Sequence, residues 1–137
     1  MARDTSTGGV LEAMILPALS RGEYQCRTQV RVGLRPGGRP HKVDAIATRE
    51  ERSWLVSMKW QQVGGTAEQK VPFEVICLAD AVREGHYESA YLVLGGPGWT
   101  LRDFYCGGGL TAHLTRIDQV RIVTLEQFVA LANQGAL

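Results

Sequence analysis

Hydrophobic and polar positions recur with two different periods along this chain, and the switches between them mark out its elements. Val10, Leu11, Met14, Ile15 and Ala18 return at helical spacing. Thr7 and the glycines after it serve the entry of that helix, Pro17 is a place for a kink, and Arg21-Gly22 ends it. Over 24–34 the period drops to two. Tyr24, Cys26, Thr28, Val30, Val32 and Leu34 share one side, and Gln25, Arg27, Gln29 and Arg31 form the outward face of a strand. Arg35-Pro36-Gly37-Gly38-Arg39-Pro40 has turn chemistry, which predicts a hairpin into a second strand over 41–48. A charged turn over 49–53 leads to a third strand over 54–60, and the three strands form an antiparallel meander.

Gly64-Gly65 interrupts the pattern, and Thr66 with Gln69 three residues on has the form of a capping box opening a helix. Val71, Val75, Leu78 and Val82 share one face of that helix, which runs to about Gly85 with Pro72 in its first two turns. A fourth strand over 89–94 is followed by the loop Gly95-Gly96-Pro97-Gly98, a short helix over 99–105 and a glycine-rich break over 106–109. The pattern closes with a short strand over 120–124 and a helix over 125–133 carrying Phe128, Val129 and Leu131. Helix, three strands, helix, strand, then strand and helix predict an α/β sandwich with helices against a mixed sheet. With 137 residues, no internal repeat and no low-complexity linker, 1–137 is read as one domain.

An apolar share of 45% with 21% charged residues excludes a disordered or fibrous chain and names no function. The net charge of +1 leaves nucleic acid open as a partner, because a local basic stripe matters more than the total. Such a segment exists: Arg21, Arg27, Arg31, Arg35, Arg39 and Lys42 fall close together, with no acid between Glu23 and Asp44. It suits either a polyanion or a solvated strand edge protected against pairing. Cys26, Cys77 and Cys106 are odd in number and widely spaced, which argues for a reducing compartment, read here as the cytoplasm. No apolar run is long enough to cross a bilayer. The glycine-rich loops lack the Lys-Ser/Thr ending of a nucleotide loop, and His41, His86 and His113 have no metal-ligand spacing. Trp54, Trp60 and Trp99 could stack on bases, but for at least two of them core packing or a subunit interface is the better account.

The candidate chemistry lies on the second and third strands. Strand alternation puts Ser57 and Lys59 on one face, and Asp44 sits on the neighbouring strand. A carboxylate beside a lysine suits phosphodiester cleavage: the acid holds a divalent cation, and the amine offsets charge in the transition state.

The first helix, the Val43-Asp44-Ala45 strand, the Ser57-Met58-Lys59 strand and the helix after it resemble the PD-(D/E)XK nuclease superfamily, in an SxK variant, from Gly9 to about Leu94. The resemblance implies a restriction-endonuclease-like three-layer sandwich with an αβββαβ core. By it, Asp44 is the central metal ligand and Lys59 the catalytic lysine. Ser57 stands at the motif acid's place, and the Met58 carbonyl is a further contact to the metal. Gln61 falls where some members carry a polar active-site residue, with polar support as its other reading. Glu12 matches the first-helix acid of resolvase-like members. Val43 replaces the usual proline, and Ser57 replaces a carboxylate that most members use for metal. Some SxK members take that acid from the next helix, which points to Glu74, with Glu68 at the other edge of the stripe competing for the role.

The implied function is a Mg²⁺-dependent DNA endonuclease, with Mn²⁺ able to substitute, working as a homodimer on structured or branched DNA. The alternatives are a nuclease-fold DNA-binding or assembly module without activity, and an unrelated α/β protein with a chance SxK.

Overall fold

A computed structural model describes residues 7–137. Five strands form one mixed sheet in the order β1-β2-β3-β4-β5, so chain order and spatial order coincide. β1 (Gln25–Leu34), β2 (Pro40–Arg49) and β3 (Arg52–Trp60) are the antiparallel meander. β4 (Ser89–Gly95) and β5 (Val120–Thr124) continue it in parallel. A parallel pair needs a crossover, and α3 (Ala67–Gly85) supplies the one between β3 and β4.

The two faces of the sheet are buried by different helices. Val10, Leu11 and Ile15 from α1 (Thr7–Val10) and the π turn Leu11–Ile15 pack with Ala18 and Leu19 of α2 (Leu16–Arg21) and Phe128 of α5 (Leu125–Asn133) on one side. They meet Ala45, Ala47, Trp54, Val56 and Met58 of the meander. On the other side Val71, Val75, Leu78 and Val82 of α3 meet Ile46, Leu55, Leu92 and Leu94. Tyr105 of α4 (Arg102–Cys106) and Leu110 of the 3-10 turn Gly109–Ala112 complete that second layer. The result is the α/β sandwich that the pattern predicts, in the three layers that the resemblance implies. Among the described residues, no helix is long and apolar enough to cross a membrane.

Several local expectations change. The helix backbone is continuous through Ile15 and Leu16, and the irregularity at Pro17 takes the form of the π turn Leu11–Ile15 just before it. The β2–β3 turn narrows to Glu50-Glu51, both left-handed (φ 55° and 68°), which matches the right-handed twist of the strands it joins. β1 is an edge strand: Cys26 and Thr28 are exposed, and Leu34 is 61% exposed. Its inside–outside alternation breaks at Gln29, whose φ of 53° lies in the left-handed region. Before that residue Cys26 and Thr28 pair with Ala47 and Ala45 of the first core; after it Val30 and Val32 pack against the second. The capping box at Thr66 does not form, because Thr66 is helical (φ −89°, ψ −7°) and the Gln69 N–H bonds its main-chain carbonyl instead. A capping box does open α5, between Thr124 and Gln127.

Candidate active site

The site lies where β2 and β3 part. Their ladder ends at the pair Ala45↔Val56, and one step further the Met58 N–H donates to Asp44 Oδ2 across 2.7 Å. The side chain of Asp44 thus takes the place of a main-chain partner in the gap between two diverging strands. On β3, Leu55 belongs to the α3 side and Val56 and Met58 to the opposite side, so alternation turns Ser57 and Lys59 toward α3.

α3 meets them with Glu74. That residue follows Val71 by three and precedes Leu78 by four, so the helix that buries its valines against the sheet carries the carboxylate in with them. Glu74 is 3% exposed. Ser57 Oγ donates to Glu74 Oε2 across 2.9 Å, and Arg35 Nη1 donates to Oε1 across 2.8 Å. His41 Nε2 lies 3.3 Å from Oε2; since a carboxylate accepts only, the imidazole carries its proton on Nε2 there.

The electrostatics separate the two acids. Burial pushes the Asp44 carboxyl above its ordinary range, and the nearby charge of Glu74 adds to this, against hydrogen bonds from Met58 and Gln29 and the charge of Lys59. Burial also pushes Glu74 up, but hydrogen bonds from His41 and Arg35, with the charges of Arg35 and Lys59, prevail and hold it at about 2. Lys59 is half-buried and makes no ion pair among the described residues, although its charge reaches both carboxylates.

Two other candidates belong to a different assembly. Gln61 Nε2 donates to Glu68 Oε2 (3.1 Å) and to the Gly98 carbonyl (2.8 Å), and its Oε1 accepts from the Ala67 N–H (3.1 Å). Glu68 accepts from the Thr100 and Leu101 main chain and the Thr100 hydroxyl. Together they cap α3 and clamp the loop after β4, where a Cβ on Gly96 would stand 2.3 Å from the Gln61 carbonyl. Every polar atom of the Gln61 amide is engaged there, so the residue supports the fold. Glu68 is occupied in the same way, which leaves Glu74 as the helix acid beside Ser57. Glu12 is exposed on the π turn, within the helical layer on the opposite side of the sheet from Ser57 and Glu74.

Gln29, Arg35 and His41 are site residues that the sequence pattern does not mark. Arg35 and His41 lie 39 and 33 residues from Glu74, with no spacing motif to join them. Gln29 reads as an outward strand residue, yet its backbone is left-handed and its side chain lowers the Asp44 carboxyl.

Among the described residues no three His, Cys, Asp or Glu side chains converge in a ready-made metal cage. The donor set nevertheless fits a hard cation of the Mg²⁺ type, which takes one or two carboxylates and fills its remaining positions with water and phosphate oxygen. Asp44 is the group that such an ion would relieve, being half-buried, pushed up, and within reach of the charge of a second carboxylate.

A model of a PD-(D/E)XK nuclease superfamily domain matches residues 3–136. The chain belongs to the PD-(D/E)XK nuclease superfamily. It departs from the superfamily pattern at Ser57, and Glu74 brings a carboxylate to that position from α3. Among solved structures, the chain is similar to a protein of unknown function, AF1548, with a TM-score of 0.52 and 11% identity over 80% of this chain and 54% of that one. It is also similar to the small subunit (R.BspD6I2) of the heterodimeric restriction endonuclease R.BspD6I, with a TM-score of 0.42 and 18% identity over 84% of this chain and 61% of the other. The chain therefore spans less than two thirds of either structure's length. No curated protein matches the sequence.

Proposed function

We propose that this chain is a divalent-metal-dependent endonuclease that hydrolyses DNA phosphodiester bonds. Mg²⁺ would be its ion, with Mn²⁺ able to substitute, and Asp44 and Glu74 would hold it with the Met58 carbonyl. The observation that carries this reading is the meeting, at the split between β2 and β3, of two carboxylates and a lysine that makes no ion pair among the described residues. Bound there, a divalent ion supplies positive charge to phosphate oxygens and makes a neighbouring water more acidic.

The chain's own residues do the remaining work in this proposal. Lys59 sets an ammonium where negative charge grows on the phosphate, and half-burial raises its effect above that of a solvated lysine. Ser57 and His41 fix the orientation of Glu74. The Met58 N–H fixes Asp44. A small domain leaves little surface for reading a long base sequence, which favours a structured or branched substrate. Two sites related by two-fold symmetry suit cutting both strands, so we read the working unit as a homodimer acting in the cytoplasm. The test is cleavage of linear, nicked and branched DNA with and without Mg²⁺. The account expects loss of activity in Asp44→Ala and Lys59→Ala; full activity in both variants rejects it.

One observation favours a second reading. Glu74 already accepts from Arg35, His41 and Ser57, so its charge is compensated without any metal. In that reading the chain is a DNA-binding or assembly module that keeps the nuclease fold without the reaction. DNA binding without metal binding would select it.

A further inference from the structure

Beyond Gln29 the β1–β2 hairpin has two unlike faces. Val30, Val32 and Val43 pack against the α3-side core, and His41 is buried on Glu74. Strand alternation turns Arg31 and Lys42 the other way, and both are exposed. The register sets Arg31 directly opposite Lys42. Like charges in that position repel and weaken a hairpin. Among the described residues neither has an acidic partner, and no acid occurs between Glu23 and Asp44 to offset them. One charge is enough to keep an edge strand from pairing, so edge protection does not account for the opposed pair.

Charge is also sorted along the same two strands. Glu23, Glu50 and Glu51 gather at the far end of the ladder, where Arg49 and Arg52 lie over the rings of Tyr24 and Trp54. Arg31, Arg39 and Lys42 stand exposed at the end that holds Asp44. Lys42 is two residues from Asp44, about 7 Å along a strand, and Arg31 pairs with it on the neighbouring strand. A polyanion that neutralised the opposed pair would run along the hairpin face turned away from α3, about one strand repeat from Asp44 in the gap between β2 and β3.

We propose that the outer face of the β1–β2 hairpin, centred on Arg31 and Lys42, docks the phosphate backbone of duplex DNA beside the scissile position. This rests on the nuclease reading and adds the surface that holds the substrate. Binding of a fluorescent duplex to the full chain, measured by anisotropy in chelator between 50 and 200 mM salt, tests it without catalysis. Removing one cation that neutralises a phosphate lowers the slope of log affinity against log salt by about one, so Arg31→Ala/Lys42→Ala lowers it by about two. Arg102→Ala/Arg116→Ala, which removes exposed cations elsewhere, leaves the slope unchanged, and the hairpin variant melts at or above the wild-type temperature. A wild-type slope in the hairpin variant overturns the proposal, as does a wild-type chain that binds no duplex or prefers anionic vesicles to it. Cleavage by the same proteins separates the two readings. A wild-type chain that cleaves with a slope indifferent to the hairpin loses this surface and keeps the nuclease. Hairpin-dependent binding without any cleavage does the reverse.

Discussion

Ser57 Oγ and Glu74 Oε2 lie 2.9 Å apart, joining a strand position where most superfamily members carry an acid to a carboxylate that arrives from α3. A serine there is short enough to leave room for the longer reach, and its hydroxyl supplies a donor for the incoming oxygen. The charge is kept at the site while its covalent attachment moves from sheet to helix. Arg35 and His41 hold the other faces of the carboxylate, so its orientation depends on three elements at once.

Moving the acid back to the strand tests this directly. Glu74→Gln is expected to lower Mg²⁺-dependent cleavage by about 100-fold, the scale of losing a metal-site partner. Ser57→Asp added to Glu74→Gln restores part of the rate, because the carboxylate returns to nearly the same place. Initial rates at fixed Mg²⁺ decide it, and a double variant no better than Glu74→Gln counts against the substitution of one acid by the other.

Asp44 is expected to show function maintained against stability. Its carboxyl is pushed up by burial, so the folded state favours the proton, and ionisation at neutral pH costs stability. That cost vanishes as the pH falls below the range where the unfolded carboxyl ionises. Asp44→Asn removes the charge and melts above the wild type in chelator at pH 7, whereas adding Mg²⁺ raises the wild type alone. Paired thermal scans with and without the ion provide the check.

Glu74 has the opposite sign. Its carboxyl is held at about 2 against an ordinary 4.5, so its contribution is complete above pH 4.5 and is lost as the pH falls toward 2. The shift corresponds to stability on the order of 3 kcal/mol. Denaturant unfolding at pH 7, 4 and 3 should show the wild type weakening across this window. Glu74→Gln is weaker at pH 7 and changes less between pH 4 and 3.

Gln61 separates support from chemistry. Gln61→Ala leaves the Ala67 N–H and the Gly98 carbonyl without their partner and costs about 1–3 kcal/mol of stability. Cleavage per folded molecule, measured well below the melting temperature, should stay close to wild type.

Most of the sheet is legible from the sequence because β2, β3 and β4 bury their apolar positions against helices, and periodicity reports burial. β5 and α5 have the same limits in pattern and structure, since Thr124 ends one and caps the other. The edge strand is where that signal fails. β1 alternates in sequence, yet Cys26, Thr28 and Leu34 have no helix to bury them. Asp44, Ser57 and Lys59 are readable as a candidate site because they lie on neighbouring strands whose turn fixes their register. Gln29 depends on one left-handed residue, and Arg35 and His41 on partners more than 30 residues away. Thr66 shows the converse, a local capping signal overridden by the Gln61 side chain, which takes the first helical N–H.

Asp44 and Glu74 are proposed to hold one divalent ion between them, beside Lys59. Calorimetric titration of Mg²⁺ and Mn²⁺ into the wild type, Asp44→Asn, Glu74→Gln and Lys59→Ala measures it most directly. The account predicts one ion per wild-type chain, lost in both carboxylate variants and retained in Lys59→Ala. Wild-type binding in Glu74→Gln or Asp44→Asn, or no binding by the wild type, would contradict it.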